Sequence, residues 1–133
     1  MLNEIFRMTA AVGAMALTMG PASAHSLDAV LEELDPATLG EVDFPTTCST
    51  EGQEAFDVGL LLLHHMMYRQ SAAAFEAAAE ADPDCAMAQW GIAMTKFHPL
   101  WPGGPTPEET AAGQAAAARL AGMDPGTARE AAY

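Results

Sequence analysis

The sequence predicts an all-α protein assembled from helical hairpins that repeat along the chain, and three observations predict it. Ala, Leu and Met dominate the apolar half of its 133 residues while Val and Ile are scarce, a balance that favours helix over sheet. Within residues 52–85, small and aromatic residues fall at the spacings that two packed antiparallel helices need. Gly59 stands where the second helix crosses the first, Tyr68 opens that second helix, Ser71 faces the crossing, Phe75 and Ala78 continue its buried stripe, and Pro83 ends it. Finally, His64 and His98 lie 34 residues apart, the length of one such unit.

Taken in order, residues 1–24 read as an export signal. Arg7 precedes an apolar run over 8–19, Gly20-Pro21 breaks it, and Ala22-Ser23-Ala24 supplies the small residues of a cleavage site. The alternative is a retained membrane anchor, but the run falls short of the ~20 apolar residues of a span. The processed chain then begins near His25, periplasmic or secreted, with no stable membrane span. A short amphipathic helix is expected over 27–34, with Asp28, Glu32 and Glu33 on its wet side, stopped by Asp35-Pro36. A polar or extended connector follows to residue 49. Ser49 or Thr50 then caps a helix over 51–65, because a hydroxyl there accepts the unpaired amides of the first turn.

The partner helix opens at Tyr68 and ends at Asp82-Pro83-Asp84. A third helix is expected over 86–97, stopped by Pro99. The Pro- and Gly-rich stretch over 98–106 is a loop that no regular helix crosses. Thr106-Pro107-Glu108-Glu109 restarts a helix over 107–121, with a hydroxyl cap, proline in the first turn and two carboxylates at the positive end of the dipole. Gly122 stops it, and another helix begins from Thr127. The expected organisation is thus a signal over 1–24, a short helix and connector over 25–49, and a helical domain over 50–133. That domain holds one unit over 50–84, a second over 85–122 and the start of a third over 125–133.

Five Lys plus Arg stand against eighteen Asp plus Glu, a formal charge of −13, so the surface repels a phosphate backbone and nucleic acid is not an expected partner. Basic peptides and cations suit it better. No nucleophile elbow, phosphate-binding glycine loop, Cys-Xaa-Xaa-Cys pair or His-Glu-Xaa-Xaa-His is present, so no enzyme and no cofactor is expected.

The unit over 52–85 resembles a tetratricopeptide repeat. The string from Asp82 to Trp101, with Trp90-Gly-Ile-Ala-Met94 followed by His98-Pro-Leu-Trp101, is similar to exported bacterial proteins of that repeat family. The likeness covers residues 39–133 and departs at Ser71, where the repeat usually has alanine, and in the enlarged loop of the second unit. Proteins of this kind are generally longer, so the chain is expected to be the N-terminal part of a longer repeat protein. A repeat unit cannot bury its apolar face alone.

The resemblance implies a scaffold whose first helices line a concave groove. Carried onto this chain, that groove takes Gln53, Phe56, Leu60, Leu63 and His64 from one unit, and Met87, Trp90, Met94, Phe97 and His98 from the next. The expected function is to hold a protein or peptide partner there. The alternative is a copper- or zinc-handling module in which His64 and His98 approach one another, with Met94 or Met66 as a soft ligand. In such a stack Cys48 and Cys85 lie at the same end of neighbouring helices. In an oxidising compartment they read as a disulfide, two free buried thiols being the alternative.

Overall fold

A computed structural model describes residues 31, 32, 34, 36–98 and 102–133. The expected export signal and its cleavage site, and most of the expected helix over 27–34, lie outside the described residues. Among the described residues the chain is all-helical and holds no strand, and no helix is long and apolar enough to cross a membrane.

Four long helices carry the fold: α1 (Thr50–His64), α2 (Tyr68–Ala81), α3 (Ala86–Thr95) and α4 (Pro107–Leu120). The α1 and α2 helices form the most extensive pairing, α2 packs on α3, α3 on α4, and α1 also meets α3. The helix starts follow local chemistry. Ser49 Oγ accepts the Gly52 amide at 3.1 Å. Thr106 Oγ1 accepts the Glu109 amide at 3.1 Å while the Glu109 carboxylate accepts the Thr106 amide at 2.8 Å, a reciprocal capping box with Pro107 in the first turn. That amide, with the charges of His98 and Lys96, holds the Glu109 carboxyl below the usual range.

Between α1 and α2 the chain turns in a Schellman motif. The Met67 amide donates to Leu62 O at 2.9 Å and the Met66 amide to Leu63 O at 3.0 Å, with Met67 packed near Leu62. Met66 occupies the left-handed position of this motif, φ 59°, where glycine is the usual resident.

The core is centred on Phe75 of α2. Gly59 of α1 and Gly91 of α3 bring backbone against its ring: a Cβ on Gly59 would stand 2.7 Å from the nearest ring carbon, and one on Gly91 2.4 Å. Phe75 and Phe56 are both fully buried, with ring centroids 5.6 Å apart. Ser71, also fully buried, donates its hydroxyl to Gly59 O at 2.7 Å, which satisfies the polar atom that replaces a methyl at the helix crossing.

The connector before α1 combines one helical turn with an extended strap. Pro36–Leu39 forms one helical turn, since proline's fixed φ suits a first helical position. From residue 41 to 47 the side chains alternate between exposed and half-buried, so an extended strap turns Val42, Phe44 and Thr46 inward. Cys48 follows and is joined to Cys85 by a disulfide, Cα to Cα 4.7 Å. The bridge ties the strap's end to the start of α3.

Candidate functional site

The face of α1 bearing Phe56, Leu60, Leu63 and His64 and the face of α3 bearing Trp90 and Met94 meet across an apolar cavity of about 290 Å³. Both sets follow helical spacing, so each helix contributes one stripe. Phe44 of the strap and Tyr133 complete the lining. The aromatic walls touch in sequence: Phe44 lies 5.8 Å from Phe56, and Tyr133 stands edge-on to both Phe44 at 5.4 Å and Trp90 at 5.5 Å. His64 is the one polar side chain of the lining and makes no hydrogen bond or ion pair with a described residue.

Phe56 and Trp90 therefore share one wall system, with Cys48 and Cys85 joined nearby at the helix starts. Four other residues expected in the groove lie elsewhere. Gln53 is occupied with the strap: its Oε1 accepts from Thr46 N at 2.7 Å and Thr46 Oγ1 at 2.6 Å, and its Nε2 donates to Phe44 O at 3.0 Å and Asp57 Oδ1 at 2.7 Å. It seats Phe44 without facing the cavity. Met87 is 2% exposed and belongs to the core.

Phe97 is 57% exposed because α3 ends at Thr95, two residues earlier than its apolar pattern predicts. There the buried Thr95 hydroxyl donates back to Ile92 O at 2.8 Å, and the chain leaves the helical face before Phe97. His98 sits between α2 and the start of α4. Its ring lies 4.8 Å from Tyr68, and its Nε2 is 2.8 Å from Thr95 O and 3.8 Å from Glu109 Oε1. His64 thus lines the cavity while His98 is held by Thr95, Tyr68 and Glu109, and among the described residues no group of three or more His, Cys, Asp or Glu could hold a metal. Met66, named as a soft ligand, is in the α1–α2 turn and outside the cavity lining.

Tyr133 reaches the cavity because the segment before it folds back on the strap. The Glu130 carboxylate, 4% exposed, accepts four hydrogen bonds: Thr47 N at 2.8 Å, Thr47 Oγ1 at 3.0 Å, Thr127 N at 2.8 Å and Thr127 Oγ1 at 2.6 Å. Burial pushes its pKa upward, but these donors outweigh burial and leave it below the usual carboxylate range. Arg129 lies over the Phe44 ring, 4.4 Å from the centroid, and donates to Pro45 O. A single turn of 3-10 helix, Glu130–Ala132, then presents Tyr133.

On the strap side, Asp57 is raised above the usual carboxylate range, chiefly by burial, with a further push from the charge of Asp43. The Gln53 amide only partly offsets this.

No protein-family model, curated protein or solved structure matches the chain in comparison. The class of protein therefore rests on its own geometry: among the described residues, an all-helical, disulfide-bridged fold with an aromatic-walled apolar cavity between α1 and α3.

Proposed function

We propose that this is an exported scaffold of tetratricopeptide-like hairpins that binds a polypeptide by taking one large apolar side chain into the cavity between α1 and α3. The observation that carries the reading is the cavity itself: eight side chains, seven of them apolar or aromatic, around about 290 Å³. A dry engineered cavity of roughly 150 Å³ accepts benzene, so the space here suits a side chain of leucine to tryptophan size. Sequential helix pairing, with α1 also meeting α3, supports the stacked-hairpin arrangement. The disulfide supports export to an oxidising compartment.

The charge balance points to a basic partner. With eighteen Asp plus Glu against five Lys plus Arg, a Lys or Arg flanking the inserted side chain meets a surface of complementary sign. The test is fluorescence anisotropy with labelled peptides that carry one Trp, Phe or Leu between lysines, against copies with glutamates in place of the lysines. The basic peptides should bind, their acidic copies should not, and Leu63→Arg at the half-buried cavity edge should abolish binding while far-UV circular dichroism stays unchanged. Equal binding of acidic and basic peptides, or undiminished binding to Leu63→Arg, would refute the proposal.

A further inference from the structure

The buried carboxylate of Glu130 has no part in the groove reading, yet its four hydrogen bonds are the means by which Tyr133 becomes a wall of the cavity. Thr127 and Glu130 form a local capping box, since the Glu130 amide also donates to Thr127 Oγ1 at 3.2 Å. The same carboxylate spends its other oxygen on Thr47, 83 residues away, so one side chain both shapes the segment and docks it.

Arg129 adds a second point of attachment on Phe44 and Pro45, and Tyr133 a third against Phe44 and Trp90. All three attachments reach the strap or the cavity wall. Between Gly122 and Thr127 the chain has only a turn: the Asp124 carboxylate accepts the Gly126 amide at 2.9 Å, and Gly126 holds φ +76°. There, a Cβ would stand 2.5 Å from Thr47 Oγ1.

We propose that segment 124–133 is a clasp over the cavity, pivoting at the Gly126 turn, and that its closure by Glu130 on Thr47 sets how long a bound ligand stays. Apart from the buried Glu130 side chain the segment is almost wholly exposed and is held by a few polar and ring contacts, which open more easily than the packed helices. Tyr133 remains 60% exposed even when docked, so it lines the mouth and not the floor. A ligand side chain enters as the clasp lifts. On closing, the Tyr133 ring adds a contact that must break before release, so the clasp acts on the dissociation rate more than on association.

This inference rests on the cavity being a binding site, and the experiment separates the two. Gly126→Ala disfavours the turn through its φ and its contact with Thr47 while changing no side chain of the cavity lining. Glu130→Gln weakens the dock by removing its charge. Trypsin cleavage after Arg129 reads clasp opening without ligand, and stopped-flow release of the neutral apolar dye N-phenyl-1-naphthylamine reads the cavity.

Expected results are cleavage after Arg129 about tenfold faster in both variants, dye release about tenfold faster, and slower cleavage of the unaltered protein when dye is bound. Unchanged cleavage in both variants overturns the clasp. Faster cleavage with unchanged dye release also overturns it, and leaves the cavity as a binding site. Dye binding that is absent, or equal in Leu63→Arg, removes the binding site and the clasp's role together.

Discussion

Replacing Gly91 by alanine should be the most damaging single-methyl change in the chain. The added Cβ would stand 2.4 Å from Phe75 Cδ1 and 2.5 Å from both Cε1 and Cγ, whereas carbon atoms in contact sit at roughly 3.5–4.0 Å. The ring would have to retreat by about 1 Å, and it has nowhere to go. It is fully buried, Gly59 presses on it from α1, and Phe56 lies 5.6 Å away.

Overpacking of this kind costs about 3 kcal/mol, a large part of the roughly 5–15 kcal/mol that holds a domain together. Urea unfolding followed by far-UV circular dichroism should show the midpoint falling by about 2 M. Phe75→Leu alone should cost about 1–2 kcal/mol, because it trades a buried ring for a smaller side chain. The double variant Gly91→Ala/Phe75→Leu should then fall short of the summed losses by about 2 kcal/mol, since the smaller side chain makes room for the methyl. Strict additivity, or a Gly91→Ala loss under about 0.5 kcal/mol, would show that the ring is not the obstacle and would refute the packing argument.

Other consequences are as open to measurement. Changing Cys48 and Cys85 together to serine should lower stability by about 4 kcal/mol, from the entropy of closing a loop of 37 residues, read as a lowered unfolding midpoint that reductant no longer affects. Met66→Gly should raise stability by about 0.5–1 kcal/mol in the same unfolding assay, because it relieves a left-handed backbone at a side chain that is 44% exposed. Glu130 has a folded pKa below its unfolded value. Its contribution is therefore complete above the ordinary glutamate pKa and is lost as pH falls through the depressed folded value. A near-UV circular dichroism change on that acid side, from Tyr133 leaving Phe44 and Trp90, should disappear in Glu130→Gln.

The helices were legible because their signals are local. Ser49, Thr106-Pro107 and Asp82-Pro83 mark ends by chemistry that acts within four residues, whereas Phe56, Leu60, Leu63, Trp90 and Met94, which line the cavity, are expected in a groove only through the resemblance to a tetratricopeptide stack. Phe97 falls off the groove because α3 ends at Thr95, where the chain tightens into bonds from Lys96 N to Ala93 O and from Phe97 N to Met94 O before its apolar pattern stops. An extended connector is among the sequence's expectations, but so short an alternation between polar residues does not show that Val42, Phe44 and Thr46 turn inward. Tyr133 was out of reach for a different reason. The Thr127–Glu130 box is a local signal, whereas its docking on Thr47 joins positions 83 residues apart that no periodicity connects.

Because one ring, Phe75 of α2, is gripped by glycines of both α1 and α3, the first three long helices cannot melt one at a time. Helices that met only their neighbours in sequence would fray one by one from the ends. Here α4, which buries only Ala116 along its length, is free to fray, and the boundary of cooperative unfolding falls between α3 and α4. Amide hydrogen exchange should accordingly show two classes, with slow, nearly uniform protection through α1, α2 and α3 and faster exchange beyond them.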